Sequence, residues 1–351
     1  MARKLLDVPD SLNEEYYQIN LDIRNSFSKY RPPLNIFRFR EDIGRLEPFY
    51  KVGDRLSNEQ VEDLERLVQE GFAFVSRSDH PIYVKHISHQ LDLVLIDKNL
   101  KPSEICDIFM HALTMRMEHF LEQPVKAVYE RMREDVLVLT EYLVGDIYRI
   151  KGLIKRLHKK HTLANHSVNS GIVGAALFLL LQSEDFAKPE IPRKTLDNMT
   201  LAFFLHDVGM AKIPAFIREK TNNLTPDEQS KLLQHPKLGY EVLDKIGAKF
   251  PEAEKAVLEH HERMNGSGYP NKLKETEISY VGRLAAVVDS YCAMIADRPY
   301  SQGKDPELAV KEMALDEKRY DSKITKVFQA MVLTKKLPVA TRELDASAPT
   351  A

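Results

Sequence analysis

His260-His261-Glu262-Arg263-Met264-Asn265-Gly266-Ser267-Gly268-Tyr269-Pro270 begins where an apolar, helix-compatible run, Ala256-Val257-Leu258, gives way to a loop. The run predicts a helix that ends on the two histidines. Asn-Gly and then Gly-Tyr-Pro predict a tight loop, because Asn and Gly tolerate backbone angles that other residues resist and so let a backbone approach a ligand closely. Neutral imidazole is a good ligand for first-row transition metals. A His-His pair at a helix end is most often ordinary surface or core histidine, so its meaning rests on partners elsewhere in the chain.

Those partners lie outward on both sides. From about His158 onward the pattern is helical. His166 precedes the apolar run Val168 to Leu181, and Thr195 to Leu205 is a second apolar helix that ends in His206-Asp207. An ionised carboxylate at the end of a buried helix needs a partner, which a metal would supply. Thr225-Pro226-Asp227-Glu228 is a capping box with proline at the first helical position, and the helix it opens carries Leu232, Leu233 and His235. Ile278 to Met294 holds Leu284-Ala285-Ala286-Val287-Val288 and then Asp289, again costly unless paired. The candidate ligands are therefore His166, His206, Asp207, His235, His260, His261 and Asp289. One metal rarely needs so many. Two metals sharing a bridging carboxylate would use them all, and two ions about 3.5–4 Å apart can hold a bridging hydroxide and polarise a phosphoryl oxygen, the logic of many phosphodiesterases. The imidazole-rich set suits iron, manganese, zinc or nickel and disfavours calcium and magnesium.

His206-Asp207 with flanking histidines resembles the HD superfamily of metal-dependent phosphohydrolases, and His260-His261-Glu262 followed by Gly268-Tyr269-Pro270 narrows the resemblance to the HD-GYP family. It runs from about His166 to Tyr300. It implies a helical bundle that hydrolyses cyclic di-GMP to linear product by attack of a metal-bridging hydroxide, with iron, or else manganese, in the site. Carried over by residue, it implies that His166, His206, Asp207 and Asp289 hold one ion and Asp207, His235, His260 and His261 the other, with Asp207 bridging. A glutamate that binds a third ion in some members is Thr162 here, which implies two. Gly268, Tyr269 and Pro270 would line the nucleotide pocket and Arg298 would contact phosphate, because a guanidinium fork matches phosphate oxygens. Three positions depart from the family: Met210 and Ser301 stand where lysines are usual, and Asn265 where an aspartate is usual. Lys212, two residues past Met210, is the expected stand-in beside the catalytic Asp207. Lost lysines predict intact metal binding with weakened turnover. The alternative is a degenerate cyclic-dinucleotide receptor, or a module that binds a protein partner through the Gly-Tyr-Pro loop.

The rest of the chain frames this domain. Pro124 opens a stripe, Val125, Val128, Met132, Val136, Leu139, Leu143, Ile147, Ile150, Ile154 and Leu157, which predicts one helix of about nine turns and about 50 Å. Two uses are open to it: packing on the chain, or pairing with a second copy through residues 125–157. Upstream, Ser103 opens a helix to about Glu122. Ser57 is a good N-cap for a helix that Gly71 ends. Asn35 to Arg40, Pro48 to Val52, Phe72 to Val75 and Ile82 to Val84 read as strands. His80, His86 and His89 read as scattered surface histidine. The expected architecture is α+β: a small α/β domain over 1–100, connecting helices over 101–157, an all-α HD-type bundle over 158–338 and a disordered tail over 339–351.

Composition sets the outer limits. The 351 residues carry 50 Lys and Arg against 52 Asp and Glu, a formal net charge of -2, which excludes the basic surface of a DNA binder. The two cysteines, Cys106 and Cys292, lie in apolar helical patterns and read as core residues of a reducing, cytoplasmic compartment. The most apolar run, Gly171 to Leu181, is too short for a membrane span of roughly 20 residues.

Overall fold

A computed structural model describes residues 15–19, 21–79, 82, 91–96, 100–184, 193–298 and 301–334. The chain is α+β, as expected, and divides into two compact units: Met1–Met115 with Glu141–Arg156, and Arg116–Thr140 with Leu157–Ala351.

The first unit carries the sheet. Strands β1 (Tyr16–Gln18), β2 (Ile36–Arg40), β3 (Arg45–Tyr50) and β4 (Ala73–Ser76) form an antiparallel sheet in the order β1-β4-β2-β3. The segment before Pro32 has no clear sequence period, yet β1 within it pairs Tyr17 with Val75. Pairing partners some sixty residues away are invisible to local pattern. Helix α1 (Asn58–Glu70) forms as read: Ser57 and Gln60 make a reciprocal capping box, and Gly71 closes the helix in the left-handed conformation. Its apolar face buries Val61, Leu64 and Val68. The expected strand at Ile82-Tyr83-Val84 lies outside the described residues except for Ile82, which is helical. His80, His86, His89 and the tail 339–351 also lie outside them.

The nine-turn helix is broken. Helix α2 (Pro102–Glu122) is followed by α3 (Lys126–Gly145), a 3-10 turn (Ile147–Arg149) and the short α4 (Ile150–Ile154). The apolar period continues through Gly145-Asp146, but the backbone does not. Asp146 turns its carboxylate on the Tyr148 amide at 2.9 Å and starts a new helical segment. Met132, Val136, Leu139, Leu143 and Ile150 of the stripe are buried, while Val125 is exposed. Cys106 and Cys292 are free and buried.

The second unit is helical. Its core elements are α5 (Leu163–Glu184), α6 (Arg193–Leu205), α7 (His235–Ile246), α8 (Pro251–Glu259) and α9 (Tyr280–Ile295), with α10 (Pro306–Leu315) and α11 (Ser322–Thr334) packed behind α9. The stretch Leu163–Gln182 is long and apolar enough to cross a membrane, longer than the run singled out in the sequence, but 89% of its most apolar window is buried within the protein. A 3-10 segment (Val208–Lys212) leaves α6 and packs against α7, with Gly209 at the contact. A Cβ there would collide with the His235 carbonyl oxygen and the Gly239 backbone. Both obstacles are main chain and cannot swing aside. Gly209→Ala is therefore expected to destabilise the protein by about 3 kcal/mol. Urea denaturation checks this: an unchanged midpoint would mean the two segments are not in contact.

Candidate metal centre

Each candidate ligand sits where a helix begins, ends or is crossed by its neighbours. His166 is in the first turn of α5, and His206-Asp207 directly follows α6. His235 opens α7, His260 caps the C-terminus of α8 with His261 after it, and Asp289 lies within α9. All seven come together. The ligand atoms of Asp207, His235, His260 and His261 form one tight group, and those of His166, His206 and Asp289 a second. His166, His206, His235, His260 and Asp289 are buried.

Backbone carbonyls fix the imidazoles. Nδ1 of His206 donates to Phe203 O at 2.8 Å, Nδ1 of His235 to Leu232 O at 2.8 Å, and Nδ1 of His260 to Ala256 O at 2.9 Å. With the proton held at Nδ1, the Nε2 lone pairs face inward, the orientation that outer hydrogen bonds impose on metal-binding histidine. His235 and His260 then oppose Nε2 to Nε2 at 3.0 Å, and His166 and His206 at 3.2 Å. At His235 and His260 two lone pairs meet at that separation and repel unless a cation lies by them; His166 Nδ1, by contrast, has no hydrogen-bond partner. Asp207 Oδ1 is buried without a hydrogen-bond donor, 3.3 Å from His235 Nε2 and 3.6 Å from His260 Nε2. The donor set therefore fits transition-metal ions.

Both carboxylates face both groups. The second oxygen of Asp207 lies 3.8 Å from His166 Nε2. Asp289 Oδ1 lies 3.2 Å from His166 Nε2, and its Oδ2 lies 3.6 Å from His261 Nδ1. The sequence reading gave the shared position to Asp207 alone; Asp289 has the same reach.

Electrostatics favour charged carboxylates among mostly neutral imidazoles. Burial pushes Asp207 and Asp289 upward, but the surrounding histidines outweigh it and hold both well below the usual carboxylate range. Burial lowers His235 and drives His261 well below 6.5, and burial with nearby Arg298 pushes His161 down to about 4. His206 is raised, because its two aspartates overcome burial. In the metal-free protein His161, His235 and His261, with His158, which burial also lowers, thus refuse protons that the unfolded chain accepts below about pH 6.5, so stability falls with falling pH; the raised His206 works against this. The thermal midpoint of chelated protein is expected to drop between about pH 7.5 and about pH 5. A midpoint that rises would mean that these imidazoles fold charged.

The loop after the histidines is anchored by a residue given no role in the sequence reading. Buried Glu262 accepts the Asn271 and Leu273 amides at 2.7 and 3.0 Å, which fastens the far side of Gly-Tyr-Pro. Arg263 donates through Nη1 to the His260 and Glu262 carbonyls and through Nη2 to Ser290 Oγ, so it staples the His-His corner to the helix bearing Asp289. Gly268 is buried against the His261–Arg263 backbone, where a Cβ would collide. Asn265 accepts the Ser267 amide, the turn-forming use expected of it.

The cluster opens into a cavity of about 1020 Å³ lined by His161, Met210, Arg218, Lys220, Tyr269 and Arg298 among others. Tyr269 stacks on His261 with ring centroids 4.6 Å apart. Gly268 and Pro270 do not line the cavity, and neither does Lys212, which is exposed. A 3-10 turn has three residues per revolution, so Met210 facing inward sends Lys212 to another side. His161, Arg218 and Lys220 went unread because nothing in their spacing marks them.

A helical bundle that brings five histidines and two aspartates together beside a cavity has the donor set of a transition-metal site. Residues 181–324 match the family model described as HD domain. The resemblance to HD-GYP proteins is borne out by relatives. A cyclic di-GMP phosphodiesterase of Thermotoga maritima is 39% identical over 227 residues, covering 62% of this chain and 59% of that protein. A cyclic di-GMP phosphodiesterase of Pseudomonas aeruginosa is 33% identical over 190 residues, covering 54% and 45%. The chain thus spans about half the length of these relatives. The solved structure of an HDG"Y"P protein from Bdellovibrio bacteriovorus shares the fold, with a TM-score of 0.59 at 14% identity over 91% of this chain and 99% of that one.

Proposed function

We propose that this protein is a phosphodiesterase that hydrolyses cyclic di-GMP to a linear product, with two transition-metal ions, iron or else manganese, held by His166, His206, Asp207, His235, His260, His261 and Asp289. The observation that carries the reading is the Nε2–Nε2 contact at 3.0 Å between His235 and His260, whose tautomers the backbone fixes, beside a second Nε2–Nε2 contact at 3.2 Å between His166 and His206. The names of the relatives support the substrate. When bound, the ions acidify a water and withdraw charge from a phosphoryl oxygen. The chain's own residues do the rest. Asp207, with an oxygen toward each group, fixes the spacing of the two sites, and Asp289 braces them from the other side. Glu262 and Arg263 hold the His-His corner and its loop in register. Tyr269, on His261, offers a flat wall to a base, and the Arg298 fork suits a phosphate. Thr162 lines the cavity with a neutral hydroxyl, which favours two ions over three. Met210 and Ser301 withhold positive charge and slow turnover.

The test is anaerobic loading with ferrous iron or manganese, elemental analysis, and incubation with cyclic di-GMP. Linear dinucleotide with about two ions per chain is the expected result. Tight binding with no linear product at high enzyme would replace catalysis with a receptor role.

A further inference from the structure

The cavity wall carries Met210 where resemblance expects a lysine, and it carries four cationic side chains: Arg218, Lys220, Arg263 and Arg298. Three are engaged within the protein. Arg263 is spent on the His260 and Glu262 carbonyls and on Ser290. Lys220 Nζ donates to Glu228 at 2.6 Å, on the carboxylate oxygen that also accepts the Thr225 amide, so it is tied to a helix start. Arg298 has interactions of its own. Arg218 differs. It is half-buried at the end of the short helix Ala215–Arg218, its Nε is shielded from solvent, and its guanidinium has no partner among the described residues. A guanidinium cannot shed its charge, and a shielded N–H without an acceptor is costly. Such a group persists on a cavity wall when a ligand brings the acceptor.

A cyclic dinucleotide brings two phosphodiester anions. With one at the histidine–aspartate cluster, the other needs a cation elsewhere in the cavity, whose volume of about 1020 Å³ accommodates a ligand of that size. We infer that Arg218 binds a substrate phosphate and restores the positive charge that Met210 leaves out. The assignment rests on the function proposed above. It makes Arg218 a substrate-binding residue that sequence spacing does not reveal, and it explains how a chain without that lysine can still hold a dianionic ligand.

The experiment is calorimetric titration of cyclic di-GMP into wild type, Arg218→Ala, Arg218→Lys and Met210→Lys/Arg218→Ala, each metal-depleted and manganese-loaded, with metal content measured in parallel. Arg218→Ala is expected to weaken binding about 10- to 100-fold in both metal states. Its metal content stays at the wild-type value, which also reports an intact fold. Arg218→Lys recovers part of the loss, and Met210→Lys recovers most of it by returning a cation to the same cavity. In turnover the loss appears in KM with kcat unchanged. Equal binding by wild type and Arg218→Ala overturns the Arg218 assignment and leaves the function standing. Wild type that binds no cyclic dinucleotide in either metal state overturns the functional reading, and this assignment with it.

Discussion

Asp207→Ala is expected to abolish turnover of cyclic di-GMP, by about 10³-fold or more, and to lower the metal content from about two ions per chain to about one or fewer. One carboxylate explains both effects. Its Oδ1 lies within 3.6 Å of the Nε2 atoms of His235 and His260, and its Oδ2 lies 3.8 Å from that of His166. Removing it leaves the group of His235, His260 and His261 with no carboxylate but the oxygen that Asp289 turns toward His261. Asp207→Asn keeps the shape and discards the charge, so it distinguishes ligation from packing. Both variants should fail alike in metal content if the anion matters. Asp289 gives an internal comparison. Because its oxygens face His166 and His261, Asp289→Asn should also lower metal content. Asp207→Ala with wild-type metal content would refute the ligand assignment.

Chelation is expected to lower the thermal midpoint by roughly 10 °C and to eliminate turnover, both reversibly. An ion present at about a thousand times its dissociation constant stabilises the folded state by about 4 kcal/mol. A domain of this size shifts by about 2–4 °C per kcal/mol. The metal-free site contains opposed lone pairs at His235 and His260 and an Asp207 oxygen without a donor, so the ions relieve repulsion as well as adding bonds. Manganese or ferrous iron should restore the midpoint, and magnesium should not, because imidazole is a poor ligand for a hard cation. A midpoint indifferent to chelator in protein shown to hold metal would mean that the cluster is built to stand without ions.

Most of the centre was legible in the sequence because each of its residues breaks a local rule. Asp289 interrupts an apolar helix, Asp207 ends one, and histidines recur at the edges of others; a polar residue in such a place costs free energy unless something pairs it. Glu262 was visible in the same stretch, but its work is to hold the Asn271 and Leu273 amides of the loop, which spacing cannot announce. Arg218 and Lys220 break no rule. They are ordinary charged residues in a polar segment, and only the folded chain turns them toward the cavity. Lys212 is the reverse case: nearness in sequence suggested a role, whereas the fold leaves its side chain exposed and outside the cavity lining.

By itself the sequence determined the α+β division, the N-cap at Ser57, the capping box at Thr225 and the set of residues able to take a metal, but not that the Thr225 helix ends at Leu232 and that His235 opens a new one. What it determined follows from short-range energetics: caps, periodicity and the cost of burying polar atoms. Only the tertiary structure decided the strand order β1-β4-β2-β3, the break at Gly145-Asp146, the reach of Asp289 toward both groups and the cations that face the cavity. Those are relations between segments distant in the chain, or, at the helix break, a choice between two local hydrogen-bonding patterns of similar free energy, and packing is what selects among them.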